Sequence, residues 1–186
     1  MAQYYYVVSS LPLIFYDSKV KIGIDDFLEV CKNHLSGDDF ELLEFSDLKN
    51  IKKRDTDCDF LKKWYSWELS LRNELVKLRA GSPEEAEKYL VEVPVISGLQ
   101  ALALRAFEED SPLNGEDILG RARWAVLDEL ETGHYFDIEK LISFYLKLQI
   151  LKRKNSFRRE EGFARYKEIY KIITEKKSEE PAALTV

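Results

Sequence analysis

The sequence is poor in the residues that usually carry chemistry. Its 186 residues include only two cysteines, Cys31 and Cys58, and two histidines, His34 and His134. The cysteines lack metal-ligand spacing, and neither histidine has a Cys or second His beside it at such spacing, so no metal site is expected. P-loop, GxGxxG and GxSxG motifs are missing, which leaves nucleotide binding and hydrolase chemistry without their backbone cradles, and no cofactor is expected. No apolar run approaches the roughly 18–20 residues that span a bilayer. The opening MAQYYYVVSSLPLIFYD has no basic residue ahead of its apolar stretch, unlike a signal peptide. These features together point to a cytoplasmic protein with reduced thiols.

What is present is the composition of a globular chain, 45% hydrophobic and 33% charged, with enough length to bury a core. The net charge of −6 is unevenly distributed: residues 1–60 carry 7 Lys/Arg against 12 Asp/Glu, whereas 147–177 carry 11 against 4. The basic stretch is either a face for an acidic partner, with nucleic acid as a second option, or the solvated side of long helices. The acidic pairs Asp25–Asp26, Asp38–Asp39 and Glu84–Glu85 stand at helix starts, where the macrodipole favours them. Capping explains them more simply than paired-carboxylate catalysis does.

Periodicity predicts an all-α fold, a multi-helix bundle that is either single or built of two packed helical units. A helix through DDFLEVCKNHL ends at Gly37, and a short one follows through DFELLEF. A long helix runs from about Asp57 to Ala80, closed by Gly81. Ser82, Pro83 and Glu85 then signal a new start, as N-cap, first helical residue and capping-box acid. VEVPVISG reads as a linker. Further helices are expected over about 98–109, 115–132, 138–160 and 163–177, punctuated by Pro112 with Gly115, Gly133 and Gly162. The β-prone YYYVVSS has no partner strand in view and is read as a docked helix, with a short strand as the alternative. One domain over 1–178 results, divisible into 1–92 and 97–178, with a flexible tail over 179–186.

Within the long helix, Trp64, Trp67, Leu71, Leu75 and Leu78 form one stripe, the mark of a packing seam. Glu68, Arg72 and Arg79 fall on its flank, so the arginines should lie over the core edge with their heads at the rim. Asn73 points to the far side, towards solvent. The helix DIEKLISFYLKLQILKR is apolar around nearly its whole circumference except for Lys140, Ser143, Lys147 and Lys154, which predicts a central, buried helix. Gln149 lies off that polar stripe and should be buried and hydrogen-bonded. Arg121 and Arg123 flank Trp124, a combination common at interface hot spots. With Lys152, Arg153, Arg158 and Arg159 of the basic stretch, and Arg72 and Arg79, they are the candidate partner-binding residues. Glu68–x3–Arg72–x8–Gly81 also matches Gln149–x3–Arg153–x8–Gly162 at an offset of 81 residues, a faint repeat.

YYYVVSSLP, WELSLRNELVKLRA and FYLKLQILKR resemble segments of a bacterial family, domain of unknown function twenty-seven sixty-four, whose members are typically encoded among subunits of bacterial V-type (A/V-type) ATPases. The paired helices with a polar residue four before an arginine further resemble the repeated unit of the C-type (or d-type) component of the central stalk. That component is an all-α funnel joining the rotor shaft to the membrane ring and has three such units, one more than this shorter chain provides. The resemblance implies a non-enzymatic subunit or accessory protein, with V-type ATPase stalk and membrane-ring subunits as partners and a peripheral place at the inner membrane through the complex. The alternatives are a free-standing helical interaction or assembly factor and, in another class, a nucleic-acid-binding module.

Overall fold

The computed structural model describes residues 4–18, 22–49, 51, 56–157 and 167–171. The described residues are helical with no strand, and the chain is all-α. The helices are α1 (Tyr4–Ser10), α2 (Ile24–His34), α3 (Gly37–Phe45), α4 (Asp59–Arg79), α5 (Pro83–Glu87), α6 (Leu99–Phe107), α7 (Pro112–Glu131) and α8 (Ile138–Ser156). Two compact units divide the chain, Met1–Lys154 and Asn155–Val186. In the second, residues 167–171 form a helical turn. No helix among the described residues is long and apolar enough to cross a membrane.

Local chemistry sets the boundaries, and two differ from expectation. Gly37 does not end α2. It opens α3, because Ser36 caps that helix by accepting from the Asp39 N–H at 3.2 Å, and a side-chain oxygen at this position satisfies one of the orphan amides of the first turn. Pro112 and Gly115 likewise do not precede α7. Pro112 stands at its start, where its missing N–H costs nothing. Gly115 lies inside α7, where a Cβ would come 2.5 Å from the Ala106 carbonyl oxygen of α6. Here glycine serves close helix approach, not punctuation. The expected helix at YYYVVSS is observed as α1, and Ser82 caps α5 by accepting from the Glu85 N–H.

Residues 91–96 form an irregular linker laid along α4. The Asn73 amide, expected in solvent, instead donates to the Val91 carbonyl at 2.7 Å and accepts from the Val91 N–H at 3.1 Å. Ser70 donates to the Pro94 carbonyl. These side chains give the linker backbone the partners that a sheet would otherwise supply.

Two apolar clusters make the core of the first unit. One joins Val7, Phe27, Cys31 and Leu43 to Phe60, Leu61 and Trp64 of α4, Trp124 and Leu127 of α7, and most of α8. The other joins Leu71 and Leu75 of α4 to Leu99, Ala103 and Ala106 of α6 and Leu119 of α7. Helix α8 is central as predicted, buried continuously from Leu141 to Leu148. The α4 seam holds at Trp64, Leu71 and Leu75, whereas Trp67 and Leu78 are half-buried. Trp67 packs against both clusters.

Candidate functional site

Going along α4 from Trp64 to Leu71 passes from the first apolar cluster to the second, and going along α7 from Leu119 to Trp124 passes back. Glu68 and Arg123 occupy these two crossover positions. Arg123 donates through Nε to Glu68 Oε2 at 2.8 Å and through Nη2 to Oε1 at 3.0 Å. Arg72, one turn along α4, adds an Nε bond to Oε1 at 2.9 Å. Glu68 is fully buried and Arg123 is 9% exposed. Burial works against the arginine's charge, but the Glu68 carboxylate more than restores it, and the guanidinium is held more firmly protonated than usual. A bidentate fork of this kind fixes direction as well as distance.

Arg72 extends the node outward. Its Nη2 donates to the Leu48 carbonyl at 2.8 Å. The Leu48 N–H donates to Gln149 Oε1 at 2.8 Å, and Gln149 Nε2 donates to the Ser46 carbonyl at 2.9 Å. Gln149 is hydrogen-bonded as expected, but it is only partly buried. It reaches α4 through the chain after α3, because its amide replaces the secondary-structure partners that residues 46–48 lack.

A second polar group joins the end of α7 to α8. Glu131, at the end of α7, accepts from Lys140, from Ser143 at 2.5 Å and from Lys147 at 2.6 Å. Burial raises the proton affinity of Glu131, but these donors outweigh it and hold the carboxyl below its ordinary range. Lys147 also pairs with Asp128 and lies 5.5 Å over the Trp124 ring. Lys140, Ser143 and Lys147 of the α8 polar stripe therefore form an ion-pair face with Glu131 as counter-charge, while Lys154, the fourth, pairs with Asp17. The signal for it is Lys140, Ser143 and Lys147 on an otherwise apolar helix, which call for an acid to meet them.

Trp124 and Arg123, candidates for partner binding, are buried in the chain and not displayed on its surface. Trp124 is 9% exposed and meets the edge of Tyr16 at 5.7 Å. Alternating Arg-x-Arg on a helix puts the two arginines about 200° apart, so one faces the core and the other faces out. Arg121 is the outward one. It grips Asp17 with Nη1 and Nη2 at 3.0 Å each and Asp117 with Nε at 2.8 Å. Lys154 donates to the same Asp17 at 2.7 Å, and hydrogen bonds from Lys154 and then Arg121 lower the Asp17 carboxyl.

Residues 96–177 match the family described as protein of unknown function (DUF2764). No curated protein and no solved structure matches the chain. The DUF2764 stretch holds α6, α7 and α8, hence Arg123, Glu131 and Gln149. Glu68 and Arg72 precede it. Among the other candidates inside it, Lys152 and Arg153 are exposed on the last turns of α8, and Arg153 donates to Glu116 at 3.0 Å. Arg158 and Arg159 lie outside the described residues, as does Gly162. Arg79, ahead of the stretch, is exposed, and Arg72 is half-exposed with its head at the core rim.

Proposed function

We propose that this chain is a non-enzymatic helical subunit or accessory protein of a bacterial V-type (A/V-type) ATPase, a connector between central stalk and membrane rotor ring like the C-type stalk component. Supporting the reading is the resemblance of YYYVVSSLP, WELSLRNELVKLRA and FYLKLQILKR to the DUF2764 family and its typical association with V-type ATPase subunits; the family match over 96–177 is consistent with it. The observation that carries it on physical grounds is the cross-tying of the resembling helices. A connector that transmits torque must resist shear between helices. Glu68 bonded to Arg123 and Arg72, with Gln149 anchoring residues 46–48, couples α4, α7 and α8 through directional bonds. The charges of Glu68, Arg123, Glu131 and Lys147 are spent within the fold, Glu68 on Arg123 and Glu131 on Lys147, so recognition falls to surface residues such as Lys152, Arg153 and Arg79.

The purified protein should neither bind nor hydrolyse ATP and should associate with stalk subunits. Titration with those subunits, and separately with duplex and single-stranded oligonucleotides, separates this role from nucleic-acid binding. Micromolar or tighter oligonucleotide affinity, steeply salt-dependent and without affinity for the stalk, would overturn it.

A further inference from the structure

The turn between α7 and α8 brings together three side chains that the ion-pair core does not use. Gly133, at φ +95°, lets the chain reverse after α7, and the His134 N–H donates to the Glu131 carbonyl at 3.0 Å. Asp137 caps α8, its Oδ1 accepting from the Lys140 N–H at 3.0 Å. Its other oxygen, Oδ2, lies 2.8 Å from His134 Nδ1, and Glu139 Oε2 lies 3.9 Å from the same nitrogen. All three ligand atoms fall within 4.8 Å of one another, and each residue is half-buried.

Capping needs only Asp137 Oδ1. It does not explain why two further carboxylate oxygens converge on one ring nitrogen, which holds at most one proton between them. A divalent cation would take the imidazole lone pair and neutralise both acids. The positive end of the α8 dipole, about half a charge, offsets only part of their field. Ligand atoms about 2.0–2.2 Å from a shared zinc stand roughly 3–3.5 Å apart, so the two distances to Nδ1 bracket the requirement, and with all three atoms within 4.8 Å of one another a rotation of the Glu139 side chain by on the order of 1 Å would close the set. One imidazole and two carboxylates suit a borderline transition metal better than calcium or magnesium, which prefer all-oxygen sites. Phe60 meets the His134 ring edge-on and limits its tilt. Spacing along the sequence does not reveal the group because its ligands, H-x2-D-x-E, include no second His or Cys.

We propose that His134 Nδ1, Asp137 and Glu139 bind one divalent transition-metal ion of the zinc or cobalt class, with water completing its coordination. The full chain, stripped with chelator and checked for helicity, is titrated with Co2+ and followed by its visible d–d absorption, then back-titrated with Zn2+. One equivalent should bind and be displaced by zinc. His134→Ala and Glu139→Gln should each weaken binding on the order of a hundredfold, since loss of mere supporting contacts already costs about 10–100-fold. Asp137→Asn keeps a capping oxygen and should weaken binding while leaving helicity intact. His34→Ala and Cys58→Ser should bind as the wild type does. Failure of the folded wild type to bind Co2+, binding that survives His134→Ala or Glu139→Gln, or binding lost in the His34 or Cys58 variant would each overturn the assignment.

Discussion

Glu68 of α4 and Arg123 of α7, 55 residues apart in sequence, share two hydrogen bonds of 2.8 and 3.0 Å at the point where two apolar clusters meet. Neither cluster alone fixes how α4 sits on α7, because apolar contacts are not directional. The guanidinium–carboxylate fork is directional, and Arg72 and Leu48 extend it to the surface.

Removing one partner should therefore cost far more than removing both. Glu68→Gln leaves the Arg123 charge buried without a counter-ion and should destabilise by about 3–5 kcal/mol. Glu68→Leu combined with Arg123→Met should recover most of that loss. Arg72→Ala removes a half-exposed partner and should cost about 1 kcal/mol or less. Urea midpoints of the four proteins measure this. A Glu68→Gln midpoint equal to wild type would show that the pair does not hold the helices.

Glu131 should dominate the acid limb of stability. Its carboxyl titrates lower in the folded chain than in the unfolded one, where glutamate sits near about 4.3. A depressed acid contributes stability that is complete above the unfolded value and is lost as pH falls through the folded one. Stability should fall below about pH 4.3, and Glu131→Gln should be less stable at neutral pH with a shallower decline into acid. Chemical denaturation at stepped pH reads this directly, and superimposable wild-type and variant curves would refute it.

Two glycines should respond oppositely to alanine. Within a helix the change gains up to about 1 kcal/mol of propensity. At Gly37 nothing lies within 4 Å of the added Cβ, so Gly37→Ala should be neutral or stabilising. At Gly115 the Cβ meets the Ala106 carbonyl oxygen at 2.5 Å, and backbone cannot step aside as a side chain can. Overpacking costs about 1–3 kcal/mol, so Gly115→Ala should lower the melting temperature despite its propensity gain.

Much of the fold is legible in the sequence because helical periodicity and caps are local. The central burial of α8 follows from its apolar circumference, and Ser82 with Pro83 announces α5. Gly37 and Gly115 mislead because a glycine marks a helix end, a helix start or a close helix approach with equal force, and only the side-chain bond of Ser36 or the nearness of Ala106 decides. Arg123 and Trp124 mislead because the hot-spot pattern and a buried ion pair use the same residue types. The partner that distinguishes them, Glu68, lies 55 positions away. The bond from Asn73 to Val91 is invisible for a related reason: an irregular linker has no period from which to infer its docking.

Charge reversal at Lys152, Arg153, Arg158 and Arg159 should weaken association with stalk subunits while leaving helicity intact. Attraction between separated charges chiefly speeds encounter and is screened within about 8–10 Å at physiological salt. The loss should therefore appear in the association rate and shrink as salt rises. Stopped-flow or surface-binding kinetics at two ionic strengths would test this, and a defect confined to the dissociation rate would contradict it.

The connector role is best tested by tagging the chain at its own locus in the organism it comes from, isolating it under mild conditions and identifying what co-purifies. That role predicts V-type ATPase stalk and membrane-ring subunits in stoichiometric recovery, reduced by the four-site charge reversal. Recovery of the tagged chain from cells that make the ATPase, with none of its subunits bound, would contradict it.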